Sequence, residues 1–466
     1  MKVTLLGHAS VLVEMDGAVC LMDPVFFDPF EEGAVVSCPK RVVHTEWLPP
    51  VDTLIISHRH PDHFDLVSLA RVPRDCDVII PADPLLAYAL QKLGFERIHP
   101  VHPMGPILSE RFELYPTESE VRTVREFGMV FKDSSGTFWN QVDSFLSAET
   151  IEAIKDRFGG VDLLFAMYAG QNFEYFDGQS TSFPHETHRR NLENVIRVDP
   201  RMIAPGAAGF RFCADHAWLN SFVFPISRER FVTDLKRLGF PGAIEIMNPG
   251  DVFELGREGV SHRPGASDVA RLVEDDSALI RFDPTAPVPE LIDPNPDGYS
   301  RETLTRVTDS FVTDGIGHYA RKGYRHDDDV VSLYRRHLAR YAIAVVFPDG
   351  AASWYRFEFD AESVRLLSGP KAAGAADMAH RIAASALVGW IPHTKSFFYV
   401  RAYSRRYGTP YALSLEGRQV RLERHPLPDL LMHYLLNVME GSEFAAKRQV
   451  DIELQTLLSG PASRLG

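Results

Sequence analysis

The sequence predicts an α/β protein, an αββα sandwich followed by a smaller C-terminal α+β domain. Three observations carry this. Short strands joined by tight turns come first, strands alternating with amphipathic helices come next, and a proline-rich stretch then separates both from a third pattern. The 466 residues are 45% hydrophobic and 24% charged, enough to build a sizeable core and two or three domains.

The elements follow in order. Residues 3–6 and 11–15 are short β runs around Gly7-His8-Ala9-Ser10. Residues 18–22 form another strand, with Gly17 in the hairpin turn and Asp23-Pro24 at its end. Residues 53–56 are apolar and β-branched and read as a buried strand. A helix over 83–93 and strands over 97–101, 112–118, 128–132 and 137–141 come next. Residues 148–158 and 186–197 have helical periodicity, and between them 161–166 reads as a buried strand. Residues 202–206 run into a glycine-rich turn.

Residues 1–282 are therefore expected as one domain. Residues 283–300 hold Asp283-Pro284, Pro287, Pro289 and Asp293-Pro294-Asn295-Pro296, which break helices and make a linker. The domain over 301–466 is expected to contain helices near 300–321, 328–340, 374–389 and 427–440, and strands over 341–347 and 353–359.

At the end of the strand over 53–56 stands Ser57-His58-Arg59-His60-Pro61-Asp62-His63. Alternate side chains of extended chain point the same way, so His58 and His60 can grip one ion. Pro61 suits the first turn of a helix. Asp62 and His63, at that helix start, can then turn toward a second ion. The spacing is that of a two-metal motif.

Composition narrows the partners. A net charge of −14 argues against nucleic acid or an anionic membrane as the main partner. Four cysteines, Cys20, Cys38, Cys76 and Cys213, without a C-x-x-C pair suit reduced thiols in a cytoplasmic protein. The N-terminal apolar run is too short for a signal peptide, and no stretch approaches 18 apolar residues.

Through His58-x-His60-x-Asp62-His63, Gly7-His8-Ala9-Ser10 and Asp23-Pro24, roughly residues 1–260 resemble the metallo-β-lactamase superfamily. The resemblance implies two metals at one edge of the sandwich, with further ligands on loops after later strands. It implies Glu118 at the end of the strand over 112–118, where the family usually has histidine. Glu120 is the alternative there, and His99 or His102 would make the site richer in nitrogen. It also implies Asp143 as the bridging carboxylate and His216 as the last ligand, with His185 and His188 as rivals.

One ion would then have His58, His60, Glu118 and Asp143, and the other Asp62, His63, His216 and Asp143. Two imidazoles with carboxylates on each ion approach the environment of oxygen-activating non-haem iron. The set resembles the diiron monooxygenases of this superfamily, which include the chloramphenicol-pathway β-hydroxylase and the platensimycin/platencin-pathway diterpenoid hydroxylase. Residues 204–216 are similar to part of CMP-N-acetylneuraminate hydroxylase, but no Cys/His pairs have Rieske spacing. The resemblance implies a diiron centre, O2, a small, apolar organic substrate and a separate electron donor. Its alternative is a binuclear hydrolase with two zinc or manganese ions.

His8 and Asp23 are expected behind the ligands, Asp23 orienting a metal-bound imidazole. Tyr168, Phe173, Tyr175 and Phe176 are expected to wall an apolar substrate pocket, with loop packing as the alternative. The C-terminal domain faintly resembles a sterol-carrier-type domain. It is expected to serve packing or homodimerisation, or else to cover an apolar substrate.

Overall fold

The computed structural model describes residues 1–459 apart from 173–182, 208, 327, 409–410, 416–417, 423–426 and 440–441. Two sheets face each other in the first unit. Across the first, an eight-stranded sheet, the order is Gly259–Arg263, Val252–Gly256, Lys2–Gly7, Ser10–Met15, Ala18–Met22, Thr53–Ile55, Asp77–Pro81 and Ile98–Val101. Pairing is antiparallel up to Ala18–Met22 and parallel beyond it. The second, a seven-stranded sheet, runs Ala243–Ile244, Met202–Gly206, Leu163–Met167, Gly136–Asn140, Phe127–Asp133, Glu113–Glu118 and Ile107–Leu108.

Strand parity sorts the apolar side chains into layers. Val3, Leu5, Val11, Val13, Met129, Phe131, Phe138, Phe165 and Phe253 fill the space between the sheets. Their neighbours Val130, Trp139, Leu164 and Ile203 face outward and meet Ile151, Ile154, Leu192, Val195, Phe231 and Leu235 of three helices. Burying each large side chain is worth about 1.5–3 kcal/mol. Those helices are Ala148–Phe158, His185–Val198 and Arg228–Arg237. Ser147 caps the first by accepting from Thr150 N, and Gly159 ends it at φ 70°.

Chain segments group into two compact units, the first comprising residues 1–172, 183–283 and 453 onward, the second residues 284–452 among those described. The second unit is built on a five-stranded sheet in the order Val364–Ser368, Ala352–Phe359, Arg340–Val346, Met378–Ala383, Ser404–Gly408. Its core includes Tyr334, Tyr341, Ile343, Phe357, Leu387 and Leu430.

Two expectations are corrected. Residues 374–389 are not one helix, because Met378–Ala383 is a strand and only Ala384–Trp390 is helical. The strand pairs parallel to Arg340–Val346, and that ladder overrides the helical propensity of its alanines. Pro61 does not open a helix either. His63 N and Phe64 N both bond His60 O, which makes an isolated turn, and the helix begins only at Leu66 under the cap of Asp65.

Candidate metal centre

The site grows from the parallel pairing of Ala18–Met22 with Thr53–Ile55, which sets Met22 opposite Ile55. The two strands therefore end side by side. Asp23 N bonds Ile55 O at 2.9 Å, and the fully buried Asp23 carboxylate meets the next residues of the partner strand. It accepts from Ser57 N at 2.7 Å, from Ser57 Oγ at 2.6 Å and from His63 Nδ1 at 2.9 Å. Asp23 does this from a left-handed backbone, φ 47°, a conformation tolerated by Asp more than by most residues.

This one carboxylate fixes two imidazoles. Ser57 gives its only proton to Asp23, so its oxygen accepts from His58 Nδ1 at 2.9 Å. His58 and His63 thus carry their protons on Nδ1 and turn Nε2 lone pairs inward. Burial first, then the neighbouring His63 and His60, push His58 well below the usual imidazole range, which leaves it neutral. For His63 burial opposes a charge, but Asp62 and Asp143 outweigh it and push the ring up.

The donors that converge are these. His58 Nε2 stands 2.9 Å from His60 Nδ1. His63 Nε2 is 3.3 Å from Asp143 Oδ2 and 3.6 Å from Asp62 Oδ2. Two tight groups result, His58–His63–Asp143 and His8–Asp62–His63. Cis nitrogen donors on one ion at bond lengths of about 2.1 Å stand about 3 Å apart, so these spacings fit a cation. The buried Nε2 of His63 has no hydrogen-bond partner despite two carboxylates beside it. A divalent ion satisfies that arrangement of lone pairs and negative charge. Although burial works against it, the imidazoles of His63 and His8 hold the Asp62 carboxyl well below its usual range.

His8 stands behind Asp62. Its Nδ1 accepts from Gly209 N at 2.9 Å, so its proton is on Nε2, which lies 3.1 Å from Asp62 Oδ2. His8 steadies Asp62 in this tautomer, as an orienting residue does.

Of the expected ligands, the structure gathers His58, His60, Asp62, His63 and Asp143. His216 is buried on a short 3-10 helix, Ala214–Leu219, outside both tight groups. The expectation for Glu118 is corrected. Strand parity buries Thr117 and Ser119 and leaves Glu118 exposed at the end of Glu113–Glu118. Glu120 is exposed too and pairs with Arg190. His188 pairs with Asp234 at 3.0 Å, and His99 with Asp77 at 2.7 Å, each away from the site.

Tyr168 is corrected as well, being buried in the outer core against Phe231 rather than lining a pocket. Phe173, Tyr175 and Phe176 lie outside the described residues. Two acids were not foreseen. Glu31, in a left-handed turn, is pushed up by burial and then by the charge of Asp62. Glu126 is buried beside the loops of the site and is pushed up to about 7 by burial. Neither has a local spacing signal, since each reaches the site only through folding.

The fold is that of the metallo-β-lactamases, with an additional C-terminal unit of strands and helices. Residues 2–134 match the family model described as Beta-lactamase superfamily domain. A protein of Mycobacterium tuberculosis named as a candidate Rieske 2Fe-2S iron–sulfur protein is 37% identical over 102 residues, which is 21% of this chain and 19% of the relative. The chain thus spans about a fifth of that relative's length. Among solved structures, the diiron β-hydroxylase CmlA from Streptomyces venezuelae is 16% identical, covering 56% of this chain and 54% of that one, with a TM-score of 0.38. An isothiocyanate hydrolase from Delia radicum gut bacteria is 17% identical, covering 55% of this chain and 99% of that one, with a TM-score of 0.41. No helix among the described residues is long and apolar enough to cross a membrane.

Proposed function

We propose that the protein is a dimetal enzyme of the oxidoreductase class, a non-haem diiron monooxygenase that hydroxylates an apolar organic substrate. The observation that carries this reading is the mixed donor set. The Nε2 atoms of His58 and His63 converge with the carboxylates of Asp62 and Asp143, and imidazole with carboxylate suits iron. The mycobacterial relative supports it, since its name places a redox cluster in a protein that is 37% identical to this chain over 102 residues. Electrons would come from a separate donor.

Iron bound here would supply O2 activation, and the chain's own residues do the rest. His58, His60, His63, Asp62 and Asp143 would hold the ions. Asp23 keeps two rings in the tautomer that offers Nε2, and His8 orients Asp62. The walls behind them are dry, because Asp23, Ser57, His58 and His63 are at most 1% exposed.

The exposure of Glu118 favours a second reading, a binuclear zinc or manganese hydrolase, because it removes one carboxylate from the expected set. Metal analysis of the purified protein together with oxygen uptake separates the two. Iron, with reductant-dependent O2 consumption, is the expected result. Two zinc ions, with no O2 uptake under any reductant and with ester or phosphodiester turnover, would overturn the oxygenase.

A further inference from the structure

The loop that presents Asp143 is held by a residue outside the donor groups. Strand parity turns Phe138 inward and Trp139 outward, so Asn140, the last residue of Gly136–Asn140, faces inward again. Apolar side chains fill that layer, yet Asn140 is 3% exposed. Its Nδ2 lies 3.5 Å from Sδ of Met22, the residue before Asp23, and its Oδ1 accepts from Val142 N at 3.2 Å. A thioether is a weak acceptor, so packing alone does not explain a buried amide here. Val142 itself stands at φ 53°. His8 and Asp23 also have positive φ, but His and Asp are enriched in that region, whereas a β-branched residue there is an outlier. Val142 is the second residue of a turn closed by Ser144 N on Gln141 O at 3.0 Å, a position that normally takes Gly, Asn or Asp when φ is positive. Gln141 is anchored to the neighbouring strand, its N bonding Phe165 O and its Oε1 accepting from Met167 N, both at 3.0 Å. Such strain persists only where the surroundings impose it. The residue that follows is Asp143, whose Oδ2 is 3.3 Å from His63 Nε2.

We infer that Asn140 is a positioning residue of the metal centre. By accepting from Val142 N it holds the strained turn, and the turn sets the Asp143 carboxylate among the donors of His58 and His63. The inference rests on the metal-centre reading and holds for iron or zinc alike. An apolar residue at position 140 would suit the layer between the sheets, but it would leave the buried Val142 N–H without this acceptor and the left-handed turn without its hold.

The test uses the full-length chain, stripped with chelator and titrated with zinc against a chelating dye. The affinity of the folded protein is read, and the metal-free melting temperature is read beside it. Asn140→Ala is expected to weaken zinc binding by about 10–100-fold, the scale of losing a residue that orients a ligand. Two second substitutions then separate positioning from plain stability. In the Asn140→Ala chain, Val142→Gly and Val142→Ala both remove the valine side chain, but only glycine takes the left-handed backbone freely. The glycine variant should therefore bind zinc at least about fivefold more tightly than the alanine variant. Wild-type zinc affinity in Asn140→Ala, with only its melting temperature lowered, overturns the inference. Equal affinities in the glycine and alanine variants also overturn it, because Asn140 would then not act through the Val142 backbone. If Asn140→Ala does not fold, Asn140→Leu, which fills the site and lacks the acceptor, replaces it, and wild-type affinity there overturns the inference equally. A wild-type chain that binds no zinc and no ferrous iron overturns the metal-centre reading itself.

Discussion

Each unit of the molecule buries a histidine on an aspartate, and the two pairs have different fates. In the first unit Asp23 takes the Nδ1 proton of His63, and the far nitrogen of the ring meets Asp62 and Asp143. In the second, Asp429 takes His380 Nδ1 at 2.7 Å and Tyr341 Oη at 2.6 Å, and caps the helix Leu430–His433 through Met432 N. The far nitrogen of His380 is buried with no hydrogen-bond partner and belongs to no group of converging donors. Burial, and then the Asp429 charge, push the Tyr341 hydroxyl well above its usual range, so it stays a proton donor. The comparison teaches that an oriented buried imidazole is not itself a functional signal. What separates a metal centre from a structural knot is whether other lone pairs and charges meet the nitrogen left over.

The largest expected effect that tests this contrast is at His63. His63→Ala should abolish tight metal binding and lower turnover by about three orders of magnitude or more, which is the scale of removing a group essential to metal-assisted chemistry. Metal analysis and steady-state rates check it. In the second unit Asp429→Ala should cost about 3–4 kcal/mol, because Tyr341 and His380 lose a buried acceptor and a helix loses its cap. Thermal melting reads this, and the folded fraction should keep its full metal content. Metal loss at Asp429 would break the comparison.

The third prediction concerns pH. Glu126 holds its proton up to about 7 in the fold against an ordinary value of 4.5. The folded state therefore binds more protons than the unfolded one between these values. The contribution is intact below pH 4.5, is lost as pH rises from 4.5 to 7, and stays lost above that. Denaturant titrations of the chelated protein should show stability falling by on the order of 2–3 kcal/mol across that window, with a smaller fall in Glu126→Gln.

Next, Asp23→Asn should weaken metal binding by about 10–100-fold, the usual scale for losing an orienting carboxylate. Competition with a chelating dye would measure it, and an unchanged affinity would show that the rings keep their orientation without the Asp23 charge. The smallest effect is at Glu118, where Glu118→Gln should change neither metal content nor melting temperature, since its side chain is exposed.

Which of these residues could be read in advance follows from how far apart their partners lie. His58, His60, Asp62 and His63 were legible because their chemistry is compressed into one loop after one buried strand. The helix Ala148–Phe158 was equally legible, its stops being Ser147 and Gly159. Asp23 was legible as an orienting acid, but its grip on Ser57 was not, because it depends on the register of two parallel strands. Glu118 misled because a strand end offers two adjacent residues of opposite facing, and a shift of one changes which is buried. Glu126 was hidden because its partner, Ser119, carries no signal of its own. The strand Met378–Ala383 was hidden because its composition suits a helix and only its neighbour in the sheet decides otherwise.

The contact of Gly209 with His8 has a consequence for anyone who engineers this loop. A Cβ at position 209 would lie 2.8 Å from His8 Cα and 3.0 Å from His8 N, so even alanine would wedge the two segments apart and withdraw the N–H that sets the His8 tautomer. A library randomised at position 209 and selected for activity should therefore return glycine in nearly every survivor. Evolvability in this loop is set by the backbone of a residue with no side chain.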